Sequence, residues 1–255
     1  MLGYTSLSSQ GPARDLASSL QTKHSVDALA VQADLSTPTG PRDLIDAAKA
    51  HFASKSTSPT PETPFQIDII INNAGIALNN LLPLIKVEDF NASYTVNVLA
   101  PLLVVQAAQP YLPNDRSGRI INVSSVSAAT GFPGQTVYGG TKAALEAMTR
   151  TWARELSENC TVNAINPGPV LTEMYASNTP EFVRFIKSFI EHTPLMRTRK
   201  GIDSDELVED EKTSGGRPAY CAEIAGIVGM LCSEDAGWCT GQVVCANGGM
   251  LLGMQ

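Results

Sequence analysis

The sequence predicts an α/β protein, a parallel sheet covered by helices on both faces. Three observations predict it. Short β-branched runs recur along the chain. Stretches with apolar residues at helical spacing separate them. Polar or glycine-bearing turns follow the ends of the runs, the pattern of alternating strand and helix.

Residues 28–33 are a short apolar run closed by Asp34 and read as a strand. Residues 41–52 carry Leu44, Ile45, Ala48 and Phe52 on one helical stripe. Residues 54–64, rich in Ser, Thr and Pro, read as a loop. Ile67-Asp68-Ile69-Ile70-Ile71-Asn72 is a continuous apolar strand, the kind buried on both faces. Residues 88–111 read as one long helix that Pro101 kinks or breaks. Residues 119–123, 161–165 and 242–245 are further strands, and residues 138–157 a helix striped by Leu145, Met148 and Trp152.

The 255 residues suit a single domain spanning 1–255. A net charge of −7 argues against nucleic acid or an anionic membrane as the main partner. No apolar run approaches the roughly 20 residues that cross a bilayer. Residues 1–6 lack the basic-then-apolar pattern of a signal peptide. The five cysteines form no CxxC pair, which fits reduced thiols in a cytoplasmic protein without a metal site. One stretch departs in composition. Within residues 196–217 stand Asp203, Asp205, Glu206, Glu209, Asp210 and Glu211, read as a solvated acidic insertion loop or a lid.

Tyr138 and Lys142 stand four residues apart, so a helix sets phenol and ammonium on one face. A fixed cation favours the phenolate and lowers the phenol's pKa, making a usable acid/base. Ser125 follows the strand at 119–123, and Tyr138 comes thirteen residues later. Asn72-Asn73-Ala74-Gly75 and Asn166-Pro167-Gly168-Pro169-Val170-Leu171-Thr172 follow two other strands. Three such strand ends imply one cleft, where open α/β sheets take their ligands.

This order of motifs (NNAG, an Asn97 helix, INVSS, YxxxK, NPGPVxT) resembles the short-chain dehydrogenases/reductases over nearly the whole chain. The resemblance implies a doubly wound, Rossmann-type fold and NADP(H)-dependent reduction of a ketone or aldehyde to an alcohol. It implies Tyr138 as acid/base, Lys142 as its tuner and ribose ligand, Ser125 as carbonyl-orienting hydroxyl, and Asn97 as support for a proton-relaying water. Asn73, Ala74 and Gly75 would line the adenosine side of the cofactor, with Asp34 and Leu35 at the adenine. Pro167, Gly168, Val170 and Thr172 would meet the nicotinamide. The stretch Gly3-Tyr4-Thr5-Ser6-Leu7-Ser8-Ser9 has hydroxyls and no acid, so it resembles a 2′-phosphate pocket holding Ser6; NADP is expected over NAD. Ser8 or Ser9 could instead cap the next helix.

In one respect the chain departs from the family pattern. The first strand, the TGxxxGxG turn and the helix after it have no counterpart here, and the strand at 28–33 is expected to lack a neighbour. A second reading therefore stands beside the reductase: a redox-inactive relative serving as isomerase, cyclase or scaffold. A hydrolase built on Ser125 finds no GxSxG elbow. Val126, Phe132, Met174, Tyr175, Phe182, Phe185 and Phe189 suggest an apolar, polyketide-like substrate, or simply core. The family pairs the helices at 88–111 and 138–157 across a subunit interface, so a dimer or tetramer is expected.

Overall fold

The computed structural model describes residues 2–4, 9–53 and 65–252. Among the described residues six strands alternate with helices, every pairing is parallel, and the architecture is Rossmann-like. Strands β3 (Ile69–Asn72), β4 (Gly118–Val123), β5 (Cys160–Ile165) and β6 (Val243–Val244) form one sheet in that order. Strands β1 (Leu2–Tyr4) and β2 (Ala30–Gln32) pair separately, Gly3 beside Val31. The expectation that the strand near residue 30 has no neighbour is thus corrected: β1 supplies the ladder its backbone requires.

Alternation across the strands divides the core. Ile70, Ile120 and Val162 face Val104 and Ala108 of α4 (Ala100–Ala108) and Leu145 and Trp152 of α6 (Thr136–Glu155). Ile121 and Ile165 face the opposite way, against Leu231 and Ile224 near a late apolar helix, Cys221–Cys232. Burial is complete in the middle: Ile120, Ile121, Val162 and Ile165 are each 0% exposed. At β3 it fails on one face. Ile71 lies beside Ile121 in register, yet Ile69 and Ile71 are 48% and 49% exposed.

The helix expected at 88–111 is divided. An α-helical turn, Val87–Tyr94, leads into a π-helical turn, Thr95–Leu99, whose end is marked by the Ala100 amide bonding the Thr95 carbonyl. α4 follows, then a short 3₁₀ turn, Gln109–Tyr111. Pro101 has no N–H to give the carbonyl four residues back, so the ladder must change there. Residues 54–64, read as a loop, lie outside the described residues.

The acidic segment is also corrected. Asp205–Ser214 is a helix, not a loop. The Ser204 hydroxyl accepts the Leu207 amide, Asp205 and Glu206 sit in the first turn where the helix dipole favours them, and Gly215 ends it at φ 88°. A buried ionic clasp ties the segment down. Arg217 binds Glu223 through both terminal nitrogens at 2.8 Å and lies 3.2 Å from Asp203. Asp203 also accepts the Tyr220 hydroxyl and the Arg199 amide.

Candidate active site

The ends of β3, β4 and β5 deliver the site. β4 stops at Val123, and the backbone is then carried by β5: Ser124 donates its amide to the Ile165 carbonyl and Val126 to that of Pro167. Ser125 therefore emerges beside α6, where Tyr138 and Lys142 occupy successive turns. The Ser125 hydroxyl lies close enough to the Tyr138 phenol to lower its pKa in part. Ser125 donates to the Ser127 hydroxyl at 3.0 Å, and Ser127 donates to the Gln135 side-chain carbonyl at 2.5 Å.

Lys142 is 4% exposed, and its ammonium donates to the Val123 carbonyl at 2.8 Å, 5.6 Å from the centre of the Tyr138 ring. Burial pulls the Lys142 pKa down to about 8. Burial also pushes Tyr138 above the usual phenol value, against a smaller lowering by the Ser125 hydroxyl. The expectation that Lys142 lowers the phenol is not met in the protein alone. Desolvation dominates, and the ammonium is turned to a carbonyl.

Asn97 is fully buried in the π turn. Its amide brackets Ile76, accepting from the Ile76 amide and donating to the Ile76 carbonyl, both at 2.8 Å, and it also reaches Thr141 at 3.1 Å. This holds the chain leaving β3, so that Asn73 and Ala74 lie exposed and Gly75 faces the polar groups. A Cβ on Gly75 would sit 3.3 Å from the Asn97 side-chain oxygen and 3.4 Å from the Lys142 nitrogen. That close approach leaves a cradle which a side chain would fill, and it suits a ligand ribose presented to Lys142. Gly75 thus lies toward the ribose that Lys142 is expected to hold, rather than on the adenosine side read for it from the sequence.

The other expected contacts fall into place unevenly. Leu35 and Ala74 meet in one small cavity of about 20 Å³, with Val96 and Pro101. The Asp34 carboxylate is engaged locally, accepting from the Ser36 amide and hydroxyl, which holds it below the usual carboxylate range. The Asp34 carbonyl sits where a Cβ on Gly40 would be, so only glycine fits there. Gly168 lies against Met196 and Asn247, Val170 bridges to Ala219, and Thr172 caps the turn Glu173–Ala176. Ser6 is outside the described residues; Ser9 stands at the N-cap of Gln10–His24 without a side-chain cap bond.

The aromatic residues read as substrate-lining pack largely on one another. Phe132, 6% exposed, meets Phe189 edge-on at 4.9 Å and Phe182 at 6.4 Å. Beside them an open cavity of about 400 Å³ is lined by Ser127, Phe132, Pro133, Gln135 and Thr136 among others. Ser127 and Gln135 lie in the segment 127–136 from which the family resemblance implies substrate contacts; Glu146, whose carboxylate accepts the Ser124 hydroxyl in the interior, was not singled out from the sequence. One signal was present for Glu146: it continues the four-residue step that carries Tyr138 and Lys142.

Known proteins carry the same pattern. The short chain dehydrogenase family matches residues 4–181. The L-xylulose reductase of Aspergillus niger is 51% identical over 270 residues, covering 98% of this chain and 88% of that protein. The L-xylo-3-hexulose reductase of Hypocrea jecorina is 46% identical over 268 residues, covering 99% and 88%. Among solved structures, an angucycline C-6 ketoreductase with bound NADP superposes with a TM-score of 0.78 at 29% identity, covering 98% of this chain and 85% of that one. A blue fluorescent protein from a metagenomic library, in complex with NADPH, gives 0.77 at 29% identity, covering 98% and 86%.

Proposed function

The chain belongs to the short-chain dehydrogenase family and is an oxidoreductase, and from that premise we propose that it is an NADPH-dependent reductase of polyhydroxylated ketones. One observation carries the reading: the Tyr138 phenol, whose pKa burial raises, stands near Ser125 with the buried Lys142 ammonium 5.6 Å from its ring centre. A protonated phenol is the form that reduction needs, because the new alkoxide must receive a proton.

Nicotinamide, when bound, supplies a hydride to the carbonyl carbon. The remaining work falls to this chain. Ser125 and Tyr138 donate to the substrate oxygen and stabilise the charge that develops there. Tyr138 then gives up its proton. Lys142, an ammonium below about pH 8, stabilises the phenolate left behind and holds the ribose. Asn97 braces the Gly75 backbone that leaves room for that ribose. NADP over NAD rests on the hydroxyl-rich, acid-free stretch at residues 4–9 and on the NADP and NADPH in the related structures.

A ketose is preferred to an apolar ketone for two reasons. The two relatives named above reduce, by name, L-xylulose and L-xylo-3-hexulose. The polar line Ser125–Ser127–Gln135 can match neighbouring hydroxyls, while Phe182 and Phe189 pack edge-on against Phe132. The test is oxidation of NADPH and, separately, NADH with L-xylulose and with a bicyclic ketone lacking hydroxyls. Turnover of the ketose with NADPH at least about tenfold above the other combinations is expected, the scale of one or two well-placed hydrogen bonds. Preference for the bicyclic ketone overturns the substrate reading; preference for NADH overturns the cofactor reading.

A further inference from the structure

Tyr138, Lys142 and Glu146 follow one another at four-residue steps on α6 and so share one face. Each engages one of three consecutive residues at the end of β4. Tyr138 meets the Ser125 hydroxyl, Lys142 the Val123 carbonyl at 2.8 Å, and Glu146 the Ser124 hydroxyl at 2.6 Å. The first two contacts belong to the proposed chemistry. The third touches neither substrate nor cofactor.

Glu146 is out of place as a packing residue. It is 6% exposed beside Leu145 and Thr149, which are 1% and 0% exposed, and burial raises its pKa above the usual carboxylate range. An apolar side chain of similar volume would avoid that desolvation. The Ser124 hydroxyl does not require Glu146 for satisfaction, since the Lys142 carbonyl lies 3.4 Å away. What Glu146 adds is direction. Past Val123 the strand ladder has ended, and the peptide carrying the Val123 carbonyl and the Ser125 side chain is tied to β5 only through its backbone.

We propose that Glu146 is a positioning residue: by holding Ser124 against α6 it keeps the Val123 carbonyl on Lys142 and the Ser125 hydroxyl on Tyr138. The inference rests on the reductase reading for turnover alone; the placement of Lys142 can be read without nucleotide or substrate.

The experiment compares wild type with Glu146→Leu, Glu146→Gln and Ser124→Ala, each as the full chain. Trace acetylation of Lys142 by acetic anhydride is followed by mass spectrometry in nucleotide-free protein, with alkylation of the buried Cys160 as the control for loosened packing. Glu146→Leu and Ser124→Ala are expected to raise Lys142 labelling about tenfold, the scale of one hydrogen bond to a charged group. Cys160 should react as in wild type, and Glu146→Gln, which keeps an oxygen on Ser124, should stay within about twofold of it. With L-xylulose and NADPH, kcat should fall about tenfold in the same two variants and be rescued in Glu146→Gln. Lys142 labelling unchanged in Ser124→Ala, or equal damage in Glu146→Gln and Glu146→Leu, overturns the proposal. Should Glu146→Leu also expose Cys160, Ser124→Ala, which removes one oxygen, decides alone. Should wild type leave L-xylulose unreduced, the substrate reading fails while the labelling still decides the role of Glu146.

Discussion

The two margins of β4 are held in opposite ways. Toward α6 and β5, its C-terminal end is gripped by side chains and backbone at residues 123, 124 and 126. Toward β3 the sheet thins to a strand with one covered face, leaving Ile69 and Ile71 about half exposed, and β1 and β2 pair apart from it among the described residues. The proposed chemistry lies on the more constrained side. A reacting hydroxyl displaced by an ångström loses most of its effect, whereas an exposed isoleucine affects mainly what the surface attracts.

The contrast can be broken at its strong side first. Tyr138→Phe removes the proton donor and one partner of Ser125, and kcat should fall about 10³-fold with the melting temperature within a degree or two of wild type. Full activity in that variant would falsify the assignment of the acid. Next comes the clasp behind the site. Arg217→Met leaves Asp203, whose side chain is 1% exposed, without its buried cation, and urea unfolding should show a loss of about 3–5 kcal/mol. A loss below about 1 kcal/mol would mean the clasp is no stronger than a surface pair.

Lys142 gives a signature in pH. Its folded-state pKa of about 8 lies below the 10.5 of a free lysine. Between those values the unfolded chain keeps a proton that the folded chain has released, so this group makes stability rise with pH. The slope should approach about 1.4 kcal/mol per unit. Over the same window the ammonium disappears and activity should fall. Lys142→Met should flatten the stability trend, which urea titrations at pH 7, 8, 9 and 10 would reveal.

Smaller effects sharpen the picture. Gly75→Ala places a methyl against Asn97 and Lys142, and KM for NADPH should rise about tenfold while folding is barely altered. At the weak margin, Ile69→Thr with Ile71→Thr should change stability by about 0.5 kcal/mol or less and reduce self-association seen by light scattering. A large destabilisation there would mean the face is covered in solution.

What the sequence disclosed follows the range of the forces involved. The strands at β3, β4 and β5 and the Tyr138–Lys142 pair were legible because they depend on local periodicity and short spacing. The break at residues 95–99 was foreshadowed by Pro101, but its π form depends on how Asn97 meets Ile76, twenty-one residues away. The acidic helix was misread because charge was weighed above its Ser204 and Gly215 caps. Arg217 with Asp203, Ser127 with Gln135 and Ser124 with Glu146 join residues whose spacing has no periodic signature; only the folded sheet brings them together.

The line from Tyr138 to Gln135 also has a polarity. The Gln135 carbonyl takes the Ser127 hydroxyl proton, so that hydroxyl has only lone pairs to offer Ser125, whose own proton is thereby drawn toward Ser127. An arriving oxygen must outbid Ser127 for that proton. Carbonyl and alkoxide oxygens, with growing negative charge, compete increasingly well as reduction proceeds, while an alcohol product, bearing a proton of its own, competes poorly. In the proposed reduction, the same three hydroxyls and one amide would close on the reacting oxygen and loosen on the finished alcohol.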